Sequence, residues 1–184
     1  MTQNMYAEAL AVIDSADCLY EEQQVLEAVG NMAEQITADL GDKDPLIIAV
    51  MNGGLMPAGL LLPRLRFPLK LDYLHATRYR EGTTGHDLVW QHTPSHDLNG
   101  RHVLIVDDIL DEGHTLAAIL DFCQAQQPAS LATAVLAQKT HQRGVRPPLE
   151  YVGLQLPDRY VFGCGMDYKG YWRNLPGIYA VKDD

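Results

Sequence analysis

Four carboxylates stand within six residues of the segment VLIVDDILDEGHTL, which occupies positions 103–116. Asp107 and Asp108 follow an apolar run, and Asp111 and Glu112 precede a glycine. Acids this close together repel one another unless a cation, a basic partner or solvent takes up the charge. Because Mg²⁺ prefers oxygen ligands and takes few protein carboxylates, the first two acids are suited to that ion.

The end of the same segment is suited to a different chemistry. Gly113, His114 and Thr115 form the turn into an apolar-periodic run that predicts a helix. A helix start offers free backbone N–H groups and the positive end of a dipole, which together bind phosphate. The whole segment therefore predicts a site for a ligand that carries phosphate, metal and hydroxyl groups.

The acidic segment also fits two kinds of protein region that have no such ligand. A solvated acidic loop accounts for two of the acids, but not for their place between a buried strand and a Gly-x-Thr turn. A phospho-acceptor receiver domain has paired aspartates after a strand. Its pair follows the first strand, however, whereas here about half of the chain lies upstream. An EF-hand is excluded because Ile109 interrupts the alternate oxygen ligands.

The elements around the segment alternate between strand and helix. This order predicts an α/β domain with a mainly parallel sheet. Ligands of such sheets lie beyond the carboxyl ends of the strands, and Asp107 and Asp108 are predicted one step past the strand that ends at Val106. The predicted helices are Glu21–Leu40, Pro57–Leu65 and Thr115–Gln126, and the predicted strands are Leu46–Met51, Leu69–Leu74, Val103–Val106, Leu131–Leu136 and Tyr151–Leu156.

A long polar segment over residues 80–100 lacks strong periodicity and holds one short predicted strand near Val89 and Trp90. Segments of this length inside a compact domain are usually functional or disordered. We expect a lid that closes over the reacting centre and excludes water.

Length and charge narrow the class of protein. The 184 residues predict one domain, since a chain of this size buries roughly 70% of its unfolded surface. A formal net charge of −10 argues against general binding to nucleic acid or to anionic membranes. No apolar run approaches the length of a membrane span, the first residues lack a basic n-region, and three widely spaced cysteines suit reduced thiols. We therefore expect a soluble, cytoplasmic protein.

Two segments carry a resemblance to a known family. VLIVDDILDEGHTL resembles the phosphoribosyl pyrophosphate signature of type I phosphoribosyltransferases. YVGLQLPDRYVFGCGMDYKGYWRNLPGIYAV, which starts at Tyr151, resembles the C-terminal motif of the hypoxanthine-guanine branch of that family. VMNGG and LAQKT stand in the expected order, so the likeness extends from about Glu21 to Val181.

The resemblance implies the type I phosphoribosyltransferase fold, an α/β fold with a mainly parallel central sheet flanked by helices. It implies one domain over residues 1–184, with a small hood formed by the N-terminal segment and by residues of about 157–184. A mobile catalytic loop is expected over about 78–100.

The resemblance also implies a reaction of purine salvage. The phosphoribosyl group of phosphoribosyl pyrophosphate moves to N9 of hypoxanthine or guanine, giving IMP or GMP and pyrophosphate, with Mg²⁺ as cofactor. Two alternatives remain: a transferase that prefers xanthine or guanine, and a non-catalytic nucleotide-binding regulator on the same fold. Members of the family are oligomeric, so a homodimer or homotetramer is expected, with no nucleic-acid or membrane partner.

Residue roles follow from the matched motifs. Asp111 matches the carboxylate that faces the purine N7 and acts there as a general base. The matching residues for the donor and its 5′-phosphate are Asp107, Asp108, Asp111, Glu112, Gly113, His114 and Thr115, and those for pyrophosphate are Asn52, Gly53, Gly54, Arg78, Tyr79 and Arg173. The matching residues for the purine are Lys139, Tyr160, Val161 and Asp167, and those for the metal are Asp107, Asp108 and Asp167.

On the purine side, Lys139 matches the lysine that contacts O6, and Tyr160 matches the aromatic residue that stacks on the base. The backbone carbonyl of Val161 matches the acceptor of the 2-amino group of guanine. A cation at O6 favours 6-oxopurines, since adenine presents an amino donor there.

Three positions depart from the family pattern. Glu112 stands where threonine is usual, and we expect its side chain to point away because an acid beside a phosphate is unfavourable. Asn52 stands where the family often has lysine or arginine, and Arg78 stands where it commonly has serine. We hypothesise that Arg78 supplies the positive charge that is missing at Asn52.

Overall fold

The computed structural model describes residues 2–78 and 88–182. Its α-helices are α1 (Thr2–Ser15), α2 (Glu22–Leu40), α3 (Leu55–Leu61) and α4 (His114–Gln124), and a short 3₁₀ helix spans Leu62–Arg64. Its strands are β1 (Asp17–Tyr20), β2 (Leu46–Met51), β3 (Lys70–Arg78), β4 (Leu88–His92), β5 (His102–Leu110), β6 (Ser130–Lys139), β7 (Tyr151–Leu156), β8 (Val161–Phe162) and β9 (Ile178–Ala180).

A central sheet has the strand order β4-β3-β2-β5-β6-β7. Its strands pair in parallel, except that the edge strand β4 pairs antiparallel with β3. Side chains from α2 and α3 share one apolar core with the sheet, and side chains from α4 share a second. Helices therefore cover both faces, and the predicted α/β fold with a mainly parallel sheet is confirmed.

A second, smaller sheet is built from the two ends of the chain. Its order is β1-β9-β8, and both pairs are antiparallel. Ala9 and Val12 of α1 pack against Phe162 and Tyr168, which gives this part a core of its own. The arrangement matches the hood of the predicted fold class, while the domain limits assigned from the sequence stay a prediction.

Local sequence explains the elements whose observed bounds agree best with prediction. Strand β2 is the apolar run LIIAVM, and five of its six residues are buried. Helix α2 starts with a capping box in which the side chains of Glu21 and Gln24 each accept the backbone N–H of the other residue. The helix turns Val25, Val29 and related apolar residues into the core. Both elements agree with the predicted bounds to within a residue.

Strand β5 is longer than predicted, and this changes the place of the acidic pair. The sequence predicts that the strand ends at Val106, with Asp107 and Asp108 in the following loop, but the strand runs on to Leu110. It pairs with β2 only as far as Val106, whereas its pairing with β6 continues to the end. The two acids therefore lie in a strand that is hydrogen-bonded on one side only.

Smaller differences from prediction occur at the bounds of other elements. Helix α3 begins at Leu55, two residues before the predicted start at Pro57, and β3 continues to Arg78 beside its neighbour β2 and then β4. Helix α4 begins one residue earlier than predicted and ends at Gln124. Helix α1 has no counterpart among the predicted helices.

The expected mobile loop falls partly outside the described residues, which omit 79–87. From Leu88 onward the chain forms β4 and a return segment that buried Asp72 holds through the backbone N–H groups of Ser95 and His96 and the ring of His96. Among the described helices, none has the length and apolar character needed to cross a bilayer.

Candidate active site

The acidic pair of β5 lies against the turn that follows β2. Gly53 is buried, and a Cβ atom placed on it would come within 2.1 Å of the Asp108 carboxylate. Gly54 is equally close to the backbone, since its Cβ would meet the Val106 carbonyl oxygen at 2.5 Å. Only glycine allows this approach, so the structure brings together two motifs that are more than fifty residues apart in the sequence. Asn52 stands exposed at the start of the turn, and its peptide bond with Met51 is cis.

The acidic pair carries more charge than its surroundings balance. Burial, together with the charge of Asp108, raises the pKa of Asp107 well above its ordinary value. Burial also raises the pKa of Asp108, although the hydrogen bond with Asp107 and the charge of Arg173 oppose the rise. The Arg173 guanidinium is 3.9 Å from Asp108, beyond hydrogen-bond length. A proton or a further cation would therefore relieve the repulsion between the two carboxylates.

Asp111 lies only three residues beyond Asp108, but neighbouring side chains balance its charge. Its Oδ2 atom is 2.7 Å from Nζ of Lys139, the last residue of β6, and its Oδ1 atom is 2.7 Å from Nε2 of His141. Partial burial raises the pKa of Asp111, but the hydrogen bonds from Lys139 and His141 outweigh it and lower the pKa. Asp111 is thus a carboxylate whose charge the chain itself balances.

Two residues in this arrangement were missed by sequence reasoning. His141 and Arg146 lie in a segment without regular structure between β6 and β7. Arg146 donates to the Asp111 backbone carbonyl at 2.7 Å and contacts Nδ1 of His141 at 2.9 Å. The only signal in the sequence was the position of both residues shortly after Lys139.

A cavity of about 220 Å³ opens at the start of α4. Gly113 is the N-cap of this helix and has φ +79°, and a Cβ on it would meet the Val145 carbonyl oxygen at 2.3 Å. Glycine has no side chain with which to cap the first turn, so the N–H groups of the helix start are suited to an external anion. The cavity is lined by Asp107, Ile109, Leu110, Asp111, Glu112, Gly113, His114, Thr115 and Leu116.

Glu112 is exposed at the edge of this cavity. Its backbone carbonyl accepts a hydrogen bond from Val145 at 2.8 Å, which ties the turn to the segment that holds His141. The direction of its side chain relative to a phosphate stays a prediction.

A second cavity, of about 200 Å³, lies between the ends of β5 and β6 and the hood. Asp111 and Ile109 line both cavities and form the wall between them. Tyr160 is half exposed in the second cavity, with its ring edge-on to Tyr168 at 5.5 Å. The lining residues are Asp108, Ile109, Asp111, Lys139, Tyr160, Val161, Met166 and Asp167, and they include every residue predicted for the purine.

Comparison with known proteins identifies the family. The model of the phosphoribosyl transferase domain matches residues 15–169. The chain belongs to the phosphoribosyltransferase family.

The chain is similar to several phosphoribosyltransferases whose names all include hypoxanthine. A hypoxanthine phosphoribosyltransferase of Haemophilus influenzae is 32% identical over 90% of this chain and 94% of its own length. A hypoxanthine-guanine-xanthine phosphoribosyltransferase of Tritrichomonas foetus is 31% identical over 90% of this chain and 91% of its own. A crystal structure of a Staphylococcus aureus hypoxanthine phosphoribosyltransferase superposes with a TM-score of 0.88 at 27% identity and covers 94% of this chain and 95% of that one.

Phosphoribosyltransferases of this family use metal ions bound to phosphoribosyl pyrophosphate. The residues here fit such an ion, because Asp107 and Asp108 are hard oxygen ligands with raised pKa values and an incompletely balanced charge. Asp167 is engaged differently: one oxygen pairs with Arg173 and the other accepts the backbone N–H of Gly170 at 2.7 Å. Each oxygen keeps a further lone pair, so its predicted part in metal binding stays a prediction.

A different trio of side chains comes within 4.8 Å in the described part of the chain, namely Asp111, His141 and Asp158. Lys139 already pairs with Asp111, and Arg143 pairs with Asp158. These two cations occupy the carboxylates and oppose a metal ion at this place.

The pyrophosphate residues are placed only in part. Arg173 reaches from the hood to the acidic pair and donates to the Gly165 carbonyl at 2.6 Å. Gly165 itself packs onto Gly53, since its Cβ would meet the Gly53 carbonyl oxygen at 2.3 Å. Tyr79 lies outside the described residues, and so does the side chain of Arg78. That Arg78 supplies the positive charge missing at Asn52 therefore stays a hypothesis.

Proposed function

We propose that this protein transfers the 5-phosphoribosyl group from phosphoribosyl pyrophosphate to N9 of hypoxanthine, guanine or both. One observation carries the proposal: Lys139 and Asp111 stand 2.7 Å apart on the wall of a cavity that adjoins the anion-binding start of α4. A 6-oxopurine presents a carbonyl acceptor at O6 and an N–H donor at the neighbouring N7. A lysine donor beside a carboxylate acceptor is complementary to that edge.

The proposed base site also favours 6-oxopurines over adenine. Lys139 is buried and its ammonium group can only donate, so it matches a carbonyl at O6 and opposes an amino group. When Lys139 turns from Asp111 to O6, Oδ2 of Asp111 loses its partner and becomes the acceptor for the N7 proton. Tyr160, half exposed at the cavity, is placed to cover one face of the base.

The donor occupies the other cavity in this proposal. The helix start at Gly113 binds the 5′-phosphate. Asp107, which lines this cavity, and Asp108, which lines the base cavity, face the ribose hydroxyls from either side. The new bond forms between purine N9 and C1′ of the ribose, and the bond from C1′ to pyrophosphate breaks with its electron pair leaving on pyrophosphate. Asp111 takes the proton from N7, which balances the step.

Mg²⁺ bound at Asp107 and Asp108 would neutralise the polyanionic donor and the leaving group. The protein's own part in leaving-group stabilisation falls to Arg173 and to the glycines after β2. Arg173 is tied to Asp167 and Gly165 and is therefore held beside the acidic pair.

Steady-state assays with each purine base, phosphoribosyl pyrophosphate and Mg²⁺ test the proposal. Hypoxanthine or guanine should give IMP or GMP, and adenine should give no product above background. A preference for xanthine would identify a different transferase on the same fold. Tight nucleotide binding without turnover of any base would identify a non-catalytic regulator and contradict the proposal.

We also propose that the protein forms a homodimer or homotetramer, as the resemblance implies. One face of β3 exposes Leu71 and Tyr73, and α3 exposes Leu55, which are apolar side chains that an oligomer would bury. Sedimentation of the wild type and of Tyr73→Lys tests this, with a smaller species expected for the variant. A monomeric wild type at micromolar concentration would contradict it.

A further inference from the structure

His141 is bound to the candidate catalytic carboxylate from the side away from the base. Its Nε2 atom is 2.7 Å from Oδ1 of Asp111, and its side chain is only 6% exposed, whereas that of Asp111 is 42% exposed. His141 does not line the cavity proposed for the base. It therefore contacts Asp111 without being among the residues that line either proposed substrate cavity.

The partners of His141 define its tautomer. Arg146 places Nη2 2.9 Å from Nδ1 of His141, and the backbone N–H of Arg143 reaches the same atom at 3.2 Å. Guanidinium and backbone N–H groups only donate, so Nδ1 must carry a lone pair. The ring proton is then on Nε2, and Nε2–H donates to Asp111.

Arg146 holds both members of this contact. Besides the imidazole ring, it donates to the backbone carbonyl of Asp111 at 2.7 Å and to that of His141 at 2.5 Å. The guanidinium thus fixes the distance between the two main-chain segments that carry the acid and the histidine. A planar fork of donors is suited to this task, and lysine could not replace it.

We infer that His141, oriented by Arg146, is a positioning residue for Asp111 in the proposed transfer reaction. Each oxygen of Asp111 has one donor, Lys139 on Oδ2 and His141 on Oδ1. In the proposed reaction Lys139 turns to O6, so His141 is the donor that remains on Asp111. It keeps Oδ1 fixed and leaves Oδ2 directed at N7. The inference rests on the proposed function for its kinetic part only.

A matched pair of substitutions separates positioning from support of the loop. Glutamine places an amide nitrogen near the position of Nε2, so His141→Gln keeps the donor to Asp111. Asparagine places its oxygen near the position of Nδ1, so His141→Asn keeps the contact with Arg146 and loses the donor. We expect His141→Asn to lower kcat by about 10- to 100-fold, the range expected for the loss of one hydrogen bond to a charged group, with little change in the KM for phosphoribosyl pyrophosphate. His141→Gln should retain most of kcat.

Three kinetic results would overturn the inference: an unchanged kcat in His141→Asn, an equal loss of kcat in both variants, or a loss that appears in the donor KM instead. Thermal melts of both variants show whether each is folded. A side-chain ¹⁵N spectrum of histidine-labelled protein, assigned by the His141→Gln variant, reports the tautomer independently of activity. Protonation of Nε2 is expected, and a proton on Nδ1 would overturn the arrangement even if the wild type transferred no phosphoribosyl group.

Discussion

Two acidic sites at the end of β5 differ in how their charge is balanced. Asp107 and Asp108 are held side by side, and the Arg173 guanidinium stands 3.9 Å from Asp108. Asp111 has Lys139 and His141 at 2.7 Å. Burial and the neighbouring charge raise the pKa of Asp107, whereas at Asp111 the effect of burial on the pKa is outweighed by these two donors.

The difference shows how one short segment can serve two steps of a reaction. In the proposed reaction, a ligand cation would complete the carboxylate pair with its raised pKa values, so the charge of the pair would be useful only when the donor complex is bound. A carboxylate that the chain already balances is oriented before any substrate arrives. Side chains from β6 and the following segment supply that balance, and they reach Asp111 but not the pair.

The largest effect is expected from removal of the metal. Because the acidic pair needs a cation to hold a polyanionic donor, excess chelator should abolish transferase activity, and added Mg²⁺ should restore it. Initial rates at saturating hypoxanthine measure this, with the same chelator already neutralised by Mg²⁺ as the control. Full turnover in excess chelator would remove Asp107 and Asp108 from the metal role.

The next effect concerns the pH dependence of turnover. Asp111 must be ionised to accept a proton, and Lys139 opposes the effect of burial and lowers its pKa, so Lys139→Gln should raise that pKa. In the plot of kcat/KM against pH, the acidic limb should then move to higher pH. At neutral pH, kcat/KM for the base should fall by about 10²-fold, as expected for a lost donor to a buried substrate atom. Lys43→Gln, at an exposed position remote in sequence, is the control. An unmoved acidic limb would separate Lys139 from Asp111.

How far the sequence predicts this site depends on whether the interactions are local. The run LIIAVM and the spacing within α2 contain their own signals, so their bounds follow from the sequence almost to the residue. The end of β5 does not, because two aspartates favour a loop and only the pairing with β6 keeps them in a strand. His141 and Arg146 follow no period, and they reach Asp111 across about thirty residues of sequence through the fold. Motif resemblance assigns Asp111 and Lys139 separate roles and gives no sign that they pair.

The smallest effect is on stability and should have opposite signs at the two sites. In metal-free protein, folding disfavours the ionised form of Asp107 because the pKa of this carboxyl is raised in the folded state. The free energy of unfolding therefore falls as the pH rises through the raised pKa. Asp107→Asn should therefore raise the free energy of unfolding at neutral pH, and Tm should rise with it. Asp111→Asn should lower Tm, because buried Lys139 loses its anion. Thermal melts with chelator present measure both, and shifts of the same sign would contradict the comparison.

The division of labour between the two sites is tested most directly by initial rates against phosphoribosyl pyrophosphate concentration, at saturating hypoxanthine, for Asp111→Asn and Asp107→Asn. Asp111→Asn keeps the shape of the side chain but cannot take the N7 proton, so kcat should fall by about 10²–10⁴-fold while the donor KM changes little. Asp107→Asn should instead raise the donor KM. Near-normal turnover of Asp111→Asn together with weakened donor binding would contradict the account and make Asp111 a part of the donor site alone.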